Sequence, residues 1–303
     1  MTAVQDRSSG WAHALSVDVE DYFQVLNLAK HVDRRDWDRL ELRCGESTRR
    51  LLRLFERRGA RATFFFLGWI AERMPDLVRE VAAAGHEIGS HGYDHRVLQD
   101  LGERGFREDL ERTATILEDI AGVRPTSFRA CTWSIHAGTL WAPRVLRDLG
   151  YVLDSSIQPV SHPDYGIPGA PTVPYRLAVP GGADLAEFPP LTVRVAGRAI
   201  PVGGGGYLRL LPPWMFARGL RQMEAAGWPG CIYLHPWEVD PDQPRYPVGG
   251  LRGFRHYVNL RRTEAKLDAL LRRFRFVGLT EALDQPGVRD RLAAAAPTSV
   301  GAV

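Results

Sequence analysis

The sequence predicts an α/β fold in which strands and helices alternate around a barrel. Short apolar runs alternate with amphipathic stretches along most of the chain, which is typical of β–α units that build a parallel sheet. Polar residues recur where the apolar runs end, and the active sites of α/β barrels lie at that end of their strands. With 303 residues and 45% hydrophobic side chains, the chain is long enough to bury one large core as a single domain.

The predicted strands are short runs rich in β-branched and aromatic residues. They cover residues 14–19, 62–67, 87–90, 127–129, 151–154, 185–188, 231–234 and 276–278. Amphipathic stretches predict helices over residues 47–58, 70–84, 103–120, 140–149, 212–226 and 263–274. A glycine follows each of the first five helices, as is common where a helix ends; these are Gly59, Gly85, Gly122, Gly150 and Gly227.

Two irregular stretches, 158–206 and 240–254, interrupt this rhythm. Within the first, residues 191–202 predict a hairpin that turns at Ala196-Gly197-Arg198. The following run, Gly203 to Gly206, either lets the backbone approach a ligand closely or forms a flexible joint. We expect both irregular stretches to wall a groove near the site, because loops commonly carry specificity.

Composition argues against several classes of protein. The formal charge is only +3, basic residues are scattered among acidic ones, and no basic patch interleaved with aromatics suggests nucleic acid binding. No apolar run approaches the ~20 residues that a membrane span needs. Three cysteines far apart (Cys44, Cys131 and Cys231) imply no disulfide framework. Residues 1–11 lack the apolar segment of a secretory signal, so we expect a cytoplasmic protein.

Two histidines four residues apart, His91 and His95, are the strongest sign of a metal site. Imidazoles at i and i+4 share one face of a helical turn, close enough to bind one cation. The spacing alone is weak evidence, because nine histidines in this chain make such a pair fairly common by chance. A carboxylate from the cluster Asp18-Val19-Glu20-Asp21 would complete a two-His, one-carboxylate site with positions open for water and substrate.

Further polar residues follow other predicted strands. Arg129, Asp154 and His235 each stand at or just after the end of an apolar run. Each also has an ordinary explanation: Arg129 as a surface ion pair, Asp154 as a cap of the Ser155-Ser156 turn, and His235 as a turn residue before proline. Asp18 in turn would serve as a strand-end cap. Their joint occurrence at strand ends favours a shared site.

In these segments the sequence resembles the polysaccharide deacetylase superfamily, the carbohydrate esterases with a chitooligosaccharide deacetylase (NodB-type) domain. It is most similar to the subgroup associated with exosortase and exopolysaccharide loci. The resemblance covers roughly residues 14–283 and is carried by ordered motifs, which lie at residues 16–23, 62–68, 89–95, 128–130, 203–211, 234–240, 254–260 and 262–264.

The resemblance implies a distorted (β/α) barrel of about seven parallel strands with irregular inserts at its C-terminal face. The catalytic domain would occupy residues 14–284, after a flexible N-terminus at 1–13 and before a disordered tail at 285–303. It also implies one bound divalent metal ion, for which Zn²⁺ suits the donor set best and Co²⁺, Ni²⁺ or Fe²⁺ are compatible.

For the metal, the resemblance implies that His91, His95 and an acidic residue are ligands. Glu20 is the preferred acidic ligand and Asp21 the reserve, because residues 18 and 20 of a strand share a face whereas residue 21 points away. Three departures from the family pattern are present: an Asp-Val-Glu order in place of adjacent aspartates, Gly92 in place of Ser or Thr, and Cys131 in place of proline.

For catalysis, the resemblance implies that Asp18 is the general base toward water, that Arg129 pairs with it, and that His235 is the general acid. Amide hydrolysis needs a base for the attacking water and an acid for the leaving amine, so these residue types fit the chemistry. Candidate substrate-binding residues are Leu234, Trp237, Glu238, Trp133 and Asp154. Trp237 has an equally ordinary explanation as a packed core residue.

The sequence therefore predicts a metal-dependent hydrolase that removes N-acetyl groups from amino sugars of an exopolysaccharide or its precursor. One alternative is an amidohydrolase of the same fold that acts on a small cyclic amide or imide, because some such branches share the His-Gly-x-x-His form. The other is a non-catalytic carbohydrate-binding or assembly protein, against which the retained polar residues argue. The expected partner is an N-acetylated oligo- or polysaccharide, and homo-oligomer formation is left open.

Overall fold

Strands and helices alternate along the chain in the computed structural model, which describes residues 10–162, 165–195 and 198–301. The strands are β1 (Ala12–Val19), β2 (Thr63–Phe66), β3 (Glu87–Ser90), β4 (Ser127–Phe128), β5 (Leu153–Asp154), β6 (Tyr175–Leu177), β7 (Leu185–Glu187), β8 (Thr192–Val195), β9 (Arg198–Pro201), β10 (Cys231–Leu234) and β11 (Arg275–Val277). The helices are α1 (Cys44–Arg58), α2 (Gly68–Arg73), α3 (Pro75–Ala83), α4 (Leu98–Ala121), α5 (Ala142–Asp148), α6 (Gly205–Leu210), α7 (Pro213–Ala225), α8 (Gly250–Tyr257), α9 (Leu260–Arg273), α10 (Leu279–Leu283) and α11 (Pro286–Ala294).

A nine-stranded sheet forms the centre of the molecule, in the order β10-β1-β2-β3-β4-β5-β7-β6, with β11 paired to β1. The pairings are parallel except that of β6 with β7. The sheet curls into a half-barrel with helices packed around it and confirms the predicted α/β fold. All eight predicted strands lie in this sheet, and β6 is the strand that the sequence pattern did not indicate.

The strands at the middle of the sheet are buried on both faces. All four residues of β2 are buried, three of them phenylalanines, which is the continuous apolar pattern expected where helices cover a parallel sheet. From α1, Leu51, Leu54 and Phe55 reach the same core with the spacing of one helix face. Full burial of side chains of this size stabilises the fold by roughly 1.5–3 kcal/mol each.

The five glycines predicted to end helices all adopt left-handed backbone angles. The predicted helix over residues 70–84 is instead divided into α2 and α3. Met74, which lies between them, has φ −132° and ψ 56°, because the residue before a proline is driven out of the helical region. Pro75 then begins α3 at a position where its missing N–H costs no hydrogen bond.

The irregular stretches contain regular structure that the sequence pattern only partly indicates. β8 and β9 form the predicted hairpin, and its turn residues 196 and 197 lie outside the described residues. Where the sequence predicts a disordered tail from residue 285, Pro286–Ala294 form α11 and Thr298 pairs with Leu177 of β6. Buried Val288 of α11 supplies the apolar contact that holds this segment. Residues 1–9 of the predicted flexible N-terminus lie outside the described residues.

Among the described residues, the helices are too short or too polar to cross a membrane.

Candidate active site

The ends of four parallel strands bring the predicted site residues together. Asp18 lies near the end of β1 and Glu20 just beyond it, while His91, Arg129 and His235 directly follow β3, β4 and β10. These strands run in the same direction, so their carboxyl ends meet at one edge of the sheet. A cleft of about 390 Å³ opens there, and both irregular stretches contribute to its walls.

A larger cavity of about 620 Å³ lies against α1. Its arginines are already paired with carboxylates, as in the Arg43–Asp240 and Arg50–Glu264 pairs. The smaller cleft is the candidate site, because imidazoles and carboxylates converge there.

Glu20 and the two histidines form the floor of the cleft. Glu20 Oε1 lies 3.0 Å from His91 Nε2 and 3.1 Å from His95 Nε2. Burial disfavours the charged form of Glu20, but the field of His95 and His235 and hydrogen bonds from His91 and His95 outweigh it, so the pKa of Glu20 lies well below its usual range. The carboxylate is therefore ionised where two imidazoles meet.

The tautomer of His91 follows from its other nitrogen. His91 Nδ1 lies 2.8 Å from the carbonyl oxygen of Arg129, which can only accept, so Nδ1 carries the proton. Nε2 is then the ring nitrogen directed at the Glu20 carboxylate, 3.0 Å away. A backbone carbonyl that fixes the far nitrogen is also the usual partner of a metal-binding histidine.

The histidine segment is a loop, and the predicted helical turn over residues 91–95 is wrong. Gly92 has φ 74° and His95 has φ 58°, both left-handed. A Cβ at Gly92 would lie 2.9 Å from Asp109 Oδ1, and the Asp109 carboxylate accepts the N–H of Tyr93. The glycine that departs from the family pattern is therefore required by this turn.

Cys131 occupies the place where the family pattern has proline. One ligand atom each from Cys131, His91 and His95 lies within 4.8 Å of the others, so a third donor is within reach. The thiol donates to the His91 carbonyl oxygen at 2.9 Å, and burial raises the pKa of Cys131 well above its usual range. A neutral, hydrogen-bonded thiol is a poorer ligand than the ionised Glu20 carboxylate.

Asp21 faces away from the cleft. Its carboxylate accepts backbone N–H groups of Tyr22, Arg43 and Cys44 at 2.7–2.9 Å, the last two at the start of α1. Burial raises the pKa of Asp21, and these donors oppose the shift. The structure thus separates Asp21, which caps a helix, from Glu20, which meets the histidines.

Arg129 holds Asp18 in place. Its Nη1 donates to Asp18 Oδ1 at 2.7 Å and to Ser16 Oγ at 2.6 Å, while Nε and Nη2 donate to the carbonyl and hydroxyl oxygens of Ser155. The guanidinium is 1% exposed and lies over the Phe65 ring at 4.6 Å. Arg129 thus binds Oδ1 of Asp18. The other carboxylate oxygen, Oδ2, lies 3.9 Å from His235 Nε2.

His235 reaches the cleft from the opposite side and is held by a buried carboxylate. Glu238 Oε2 lies 3.0 Å from His235 Nδ1, and Glu238 Oε1 accepts from Arg209 Nε at 2.8 Å. Burial lowers the pKa of His235, but the negative charges of Glu20, Glu238 and Asp18 outweigh it and raise this pKa to about 9. At neutral pH the ring is protonated and directs Nε2–H into the cleft.

The predicted substrate-binding residues are divided by the structure. Trp133, Trp237 and Glu238 line the cleft. Leu234 is completely buried on β10 beside β1, and Asp154 is completely buried between β4 and β7, so neither lines it.

Asp154 supports the site from behind. It accepts a hydrogen bond from Ser156 Oγ, and that hydroxyl accepts the N–H of Ala130, next to Arg129. Asp154 is the sheet partner of Glu187, a second buried carboxyl group. Burial raises the pKa of Asp154 to about 6. Burial and the nearby charge of Asp154 raise the pKa of Glu187 well above its usual range.

Several residues of the cleft wall were not predicted from the sequence. They are Tyr233, Tyr207, Arg209, His162, Tyr165, Arg252 and Arg255. Tyr233 packs edge-on against Trp133 with ring centroids 4.8 Å apart. Its position two residues before His235 on an alternating strand places both on one face, a signal that the sequence did contain.

The Gly203–Gly206 run brings the backbone against the cleft wall. A Cβ at Gly204 would lie 2.5 Å from the Tyr233 hydroxyl, and one at Gly205 would lie 1.7 Å from Glu238 Oε2. The close approach is therefore to Tyr233 of the cleft wall and to Glu238, which holds His235. The run does not form a flexible joint, because α6 begins within it.

Two family models match successive parts of this chain. Residues 37–152 match the family model for polysaccharide deacetylase, and residues 155–284 match that of a domain of unknown function (DUF3473). A peptidoglycan-N-acetylglucosamine deacetylase of Bacillus cereus is 37% identical over 84 residues, 28% of this chain and 30% of the relative. A peptidoglycan deacetylase of Helicobacter pylori is 26% identical over 177 residues, 56% of each chain. The alignments thus span from under a third to about half of these relatives, and they support the polysaccharide deacetylase superfamily.

Two solved structures share the fold. A protein of Mycobacterium smegmatis assigned as a polysaccharide deacetylase aligns with a TM-score of 0.60 at 22% identity, over 99% of this chain and 95% of that one. Puue allantoinase aligns with a TM-score of 0.58 at 19% identity, over 95% of this chain and 92% of that one. At these identities the likeness establishes the half-barrel fold.

Proposed function

We propose that the protein is a metal-dependent de-N-acetylase that acts on N-acetylated amino sugars of a polysaccharide, with an exopolysaccharide or its precursor as the natural substrate. The observation that carries the proposal is the convergence of Glu20, His91 and His95 on one point, flanked by the Asp18–Arg129 pair. His235 completes the arrangement on the other side, 3.8 Å from Glu20.

The donor set suits a divalent metal ion. The Nε2 atoms of His91 and His95 lie 3.0 Å and 3.1 Å from Glu20 Oε1, and the Arg129 carbonyl oxygen orients the His91 ring through Nδ1. Zn²⁺ is commonly bound by two histidines and one carboxylate with an open position. A metal ion held there would polarise the amide carbonyl and acidify water.

In this proposal, Asp18 is the base. Arg129 binds Oδ1 and fixes the carboxylate, so that Oδ2 takes the proton of the attacking water. The fixed positive charge of Arg129 remains beside Asp18 throughout and keeps it oriented.

In this proposal, His235 is the acid. Glu238 holds Nδ1, so the proton on Nε2 is the one directed to the leaving amine. The pKa of about 9 keeps His235 protonated near neutrality, whereas metal-binding histidines must be neutral. His235 is thus proposed to have a different task from His91 and His95, because its neighbours differ from theirs.

The lining of the cleft supports a sugar substrate. The aromatic side chains of Trp133, Tyr207 and Trp237 line it together with polar residues from both irregular stretches, and aromatic rings beside polar groups suit the mixed apolar and hydroxyl faces of a sugar. The B. cereus and H. pylori relatives are named for action on peptidoglycan. These features favour a glycan over a small imide for this chain.

Acetate release from N-acetylglucosamine oligomers by the metal-loaded protein tests the proposal. The same preparation is assayed on a panel of cyclic amides and imides. We expect acetate from the oligomers and no ring opening of the imides. Imide hydrolysis without acetate release would assign the site to a small-molecule amidohydrolase, and no turnover on either would favour a binding protein.

A further inference from the structure

Two arginines of α8, Arg252 and Arg255, line the cleft beside the candidate site. Both residues are exposed, and neither guanidinium has an ion pair or a side-chain hydrogen bond anywhere in the described part of the chain. Arg209 in the same cleft differs, because it is buried and paired with Glu238 at 2.8 Å.

The direction of the two side chains is fixed by the packing of α8. Positions 252 and 255 are three residues apart and so share one side of the helix. Gly253 and His256 form the buried side. A Cβ at Gly253 would lie 1.8 Å from the Val248 carbonyl oxygen, and the His256 ring stacks on Trp237 at 4.7 Å. The helix cannot turn without losing these contacts.

One guanidinium connects α8 to the candidate acid. Arg209 Nη1 donates to the carbonyl oxygens of Arg255, at 2.7 Å, and His256, while Arg209 Nε donates to Glu238, which holds His235. A group bound by Arg252 and Arg255 would therefore lie at a fixed position relative to His235.

The carboxylates that line the cleft are already satisfied. Asp18 is bound by Arg129, Glu20 by two histidines, and Glu238 by Arg209 and His235. No carboxylate among the described residues of the cleft therefore neutralises Arg252 and Arg255 of α8, and their positive charge can act on a ligand. Guanidinium groups match carboxylate and phosphate oxygens with paired, directed hydrogen bonds.

We propose that Arg252 and Arg255 bind an anionic substituent of the glycan, a carboxylate or a phosphate, next to the sugar at the candidate site. This inference rests on the proposed function and narrows it, because it makes the substrate an acidic N-acetylated polysaccharide rather than a neutral chitin-like one.

Binding to matched oligosaccharides tests this. The full chain is titrated by calorimetry with chitohexaose, with chitohexaose that carries a 1-phosphate, and with a hyaluronan hexasaccharide, in which a uronic acid alternates with N-acetylglucosamine. We expect roughly tenfold tighter binding of at least one anionic oligomer than of chitohexaose, the size of one or two charge-assisted hydrogen bonds. The anion that gains affinity identifies phosphate or carboxylate as the group bound, and added salt should reduce the gain.

The variant Arg252→Gln/Arg255→Gln should lose this preference. Arg218→Gln/Arg289→Gln removes the same charge from exposed positions of α7 and α11 outside the cleft and should retain it. Thermal unfolding of both variants checks that they fold. Equal affinity for charged and neutral oligomers, or equal loss in both variants, overturns the inference.

The outcomes separate the two proposals. A chain that binds the anionic oligomers through Arg252 and Arg255 but releases no acetate supports this inference and refutes the deacetylase. A chain that deacetylates chitohexaose and shows no preference for charge refutes this inference alone.

Discussion

His235 depends for its charge on the carboxylates around it. Glu20, Glu238 and Asp18 together overcome the burial that would otherwise make the imidazole neutral. Of these three carboxylates, Glu238 forms a hydrogen bond with the His235 ring, with Oε2 3.0 Å from Nδ1. The pH dependence of turnover should therefore report on Glu238.

Replacing Glu238 with glutamine should lower the pKa of His235 from about 9 toward its ordinary value. A protonated acid is needed for turnover, so activity falls as pH rises through this pKa, and in Glu238→Gln the fall should begin at lower pH. The measurement is kcat against pH. Glu41→Gln, which removes an exposed carboxylate, is the control. An unchanged alkaline limb in Glu238→Gln would remove His235 from the role of acid.

Replacing Asp18 with asparagine should slow turnover on the order of 10²–10⁴-fold, the usual contribution of a positioned base. Metal content should stay near that of the parent, because Asp18 is paired with Arg129 while Glu20 contacts the histidines. Kinetics and elemental analysis of the same preparation check both points. Turnover close to the parent would move the role of base to another group.

Replacing His91 and His95 with alanine should abolish stoichiometric metal binding, because two of the three proposed ligands are removed. Elemental analysis of the purified double variant measures this. His31→Ala, at an exposed position, is the matched control and should keep its metal. One tightly held ion per chain in the double variant would place the metal elsewhere.

The residues of the candidate site could be predicted where a single side chain stands at a strand end. Asp18, His91 and His235 are of this kind. Arg209 could not be predicted, because its role arises from carbonyl oxygens of α8 and a carboxylate after β10 that only packing brings together. Asp154 was predicted for the cleft and lies behind it, because its strand turns that side chain toward Glu187.

At the scale of elements, the Gly203–Gly206 run couples the start of α6 to the residues around His235. Gly205→Ala would place a Cβ 1.7 Å from Glu238 Oε2, and the buried Glu238 has no room to withdraw. We expect a loss of about 1–3 kcal/mol in the free energy of unfolding, as for other overpacked sites.

Denaturant unfolding of Gly205→Ala measures this loss. Gly287→Ala is the control, because a Cβ at Gly287 meets nothing within 4 Å and the residue lies in α11. If the two variants were equally stable, Glu238 would not be packed as tightly as described.

Elements were predictable where local pattern and packing agree. β10 has the predicted bounds, because its apolar run is limited by Gly230 before it and His235 after it. β3 has the predicted bounds as well, between the helix-ending Gly85 and His91. β6 was missed because only three residues pair with β7, in a stretch rich in proline and glycine. α8 was missed because its pattern includes two glycines and few buried residues.

At the scale of the molecule, the two family matches do not mark two folding units. Asp18 and Glu20 precede both matches, His91 and Arg129 lie in the first, and His235 lies in the second. The sheet crosses the boundary, since β5 falls at residues 153 and 154 and pairs with β4 on one side and β7 on the other.

A fragment that ends at residue 152 should therefore fail to fold. It would lack β10 and β11, which pair with β1, and would leave backbone N–H and C=O groups of β1 unpaired along those edges. Circular dichroism and hydrogen exchange of the fragment measure this against the full chain. A cooperative unfolding transition in the fragment would show that the first matched region is autonomous.

The position of β1 has a consequence for synthesis of the protein. Ala14 pairs with Cys231 and Val277, 217 and 263 residues later (231 − 14 and 277 − 14). β1 leaves the ribosome long before β10 and β11, so its pairing with them must wait until these later strands have been synthesised. At about 5–20 residues per second, that wait lasts on the order of ten seconds or more, with Leu15 and Val17 exposed to other nascent chains. Folding rates fall as contacts become more distant in sequence, so production of this protein should respond to chaperone supply and to translation speed more strongly than its stability alone would indicate.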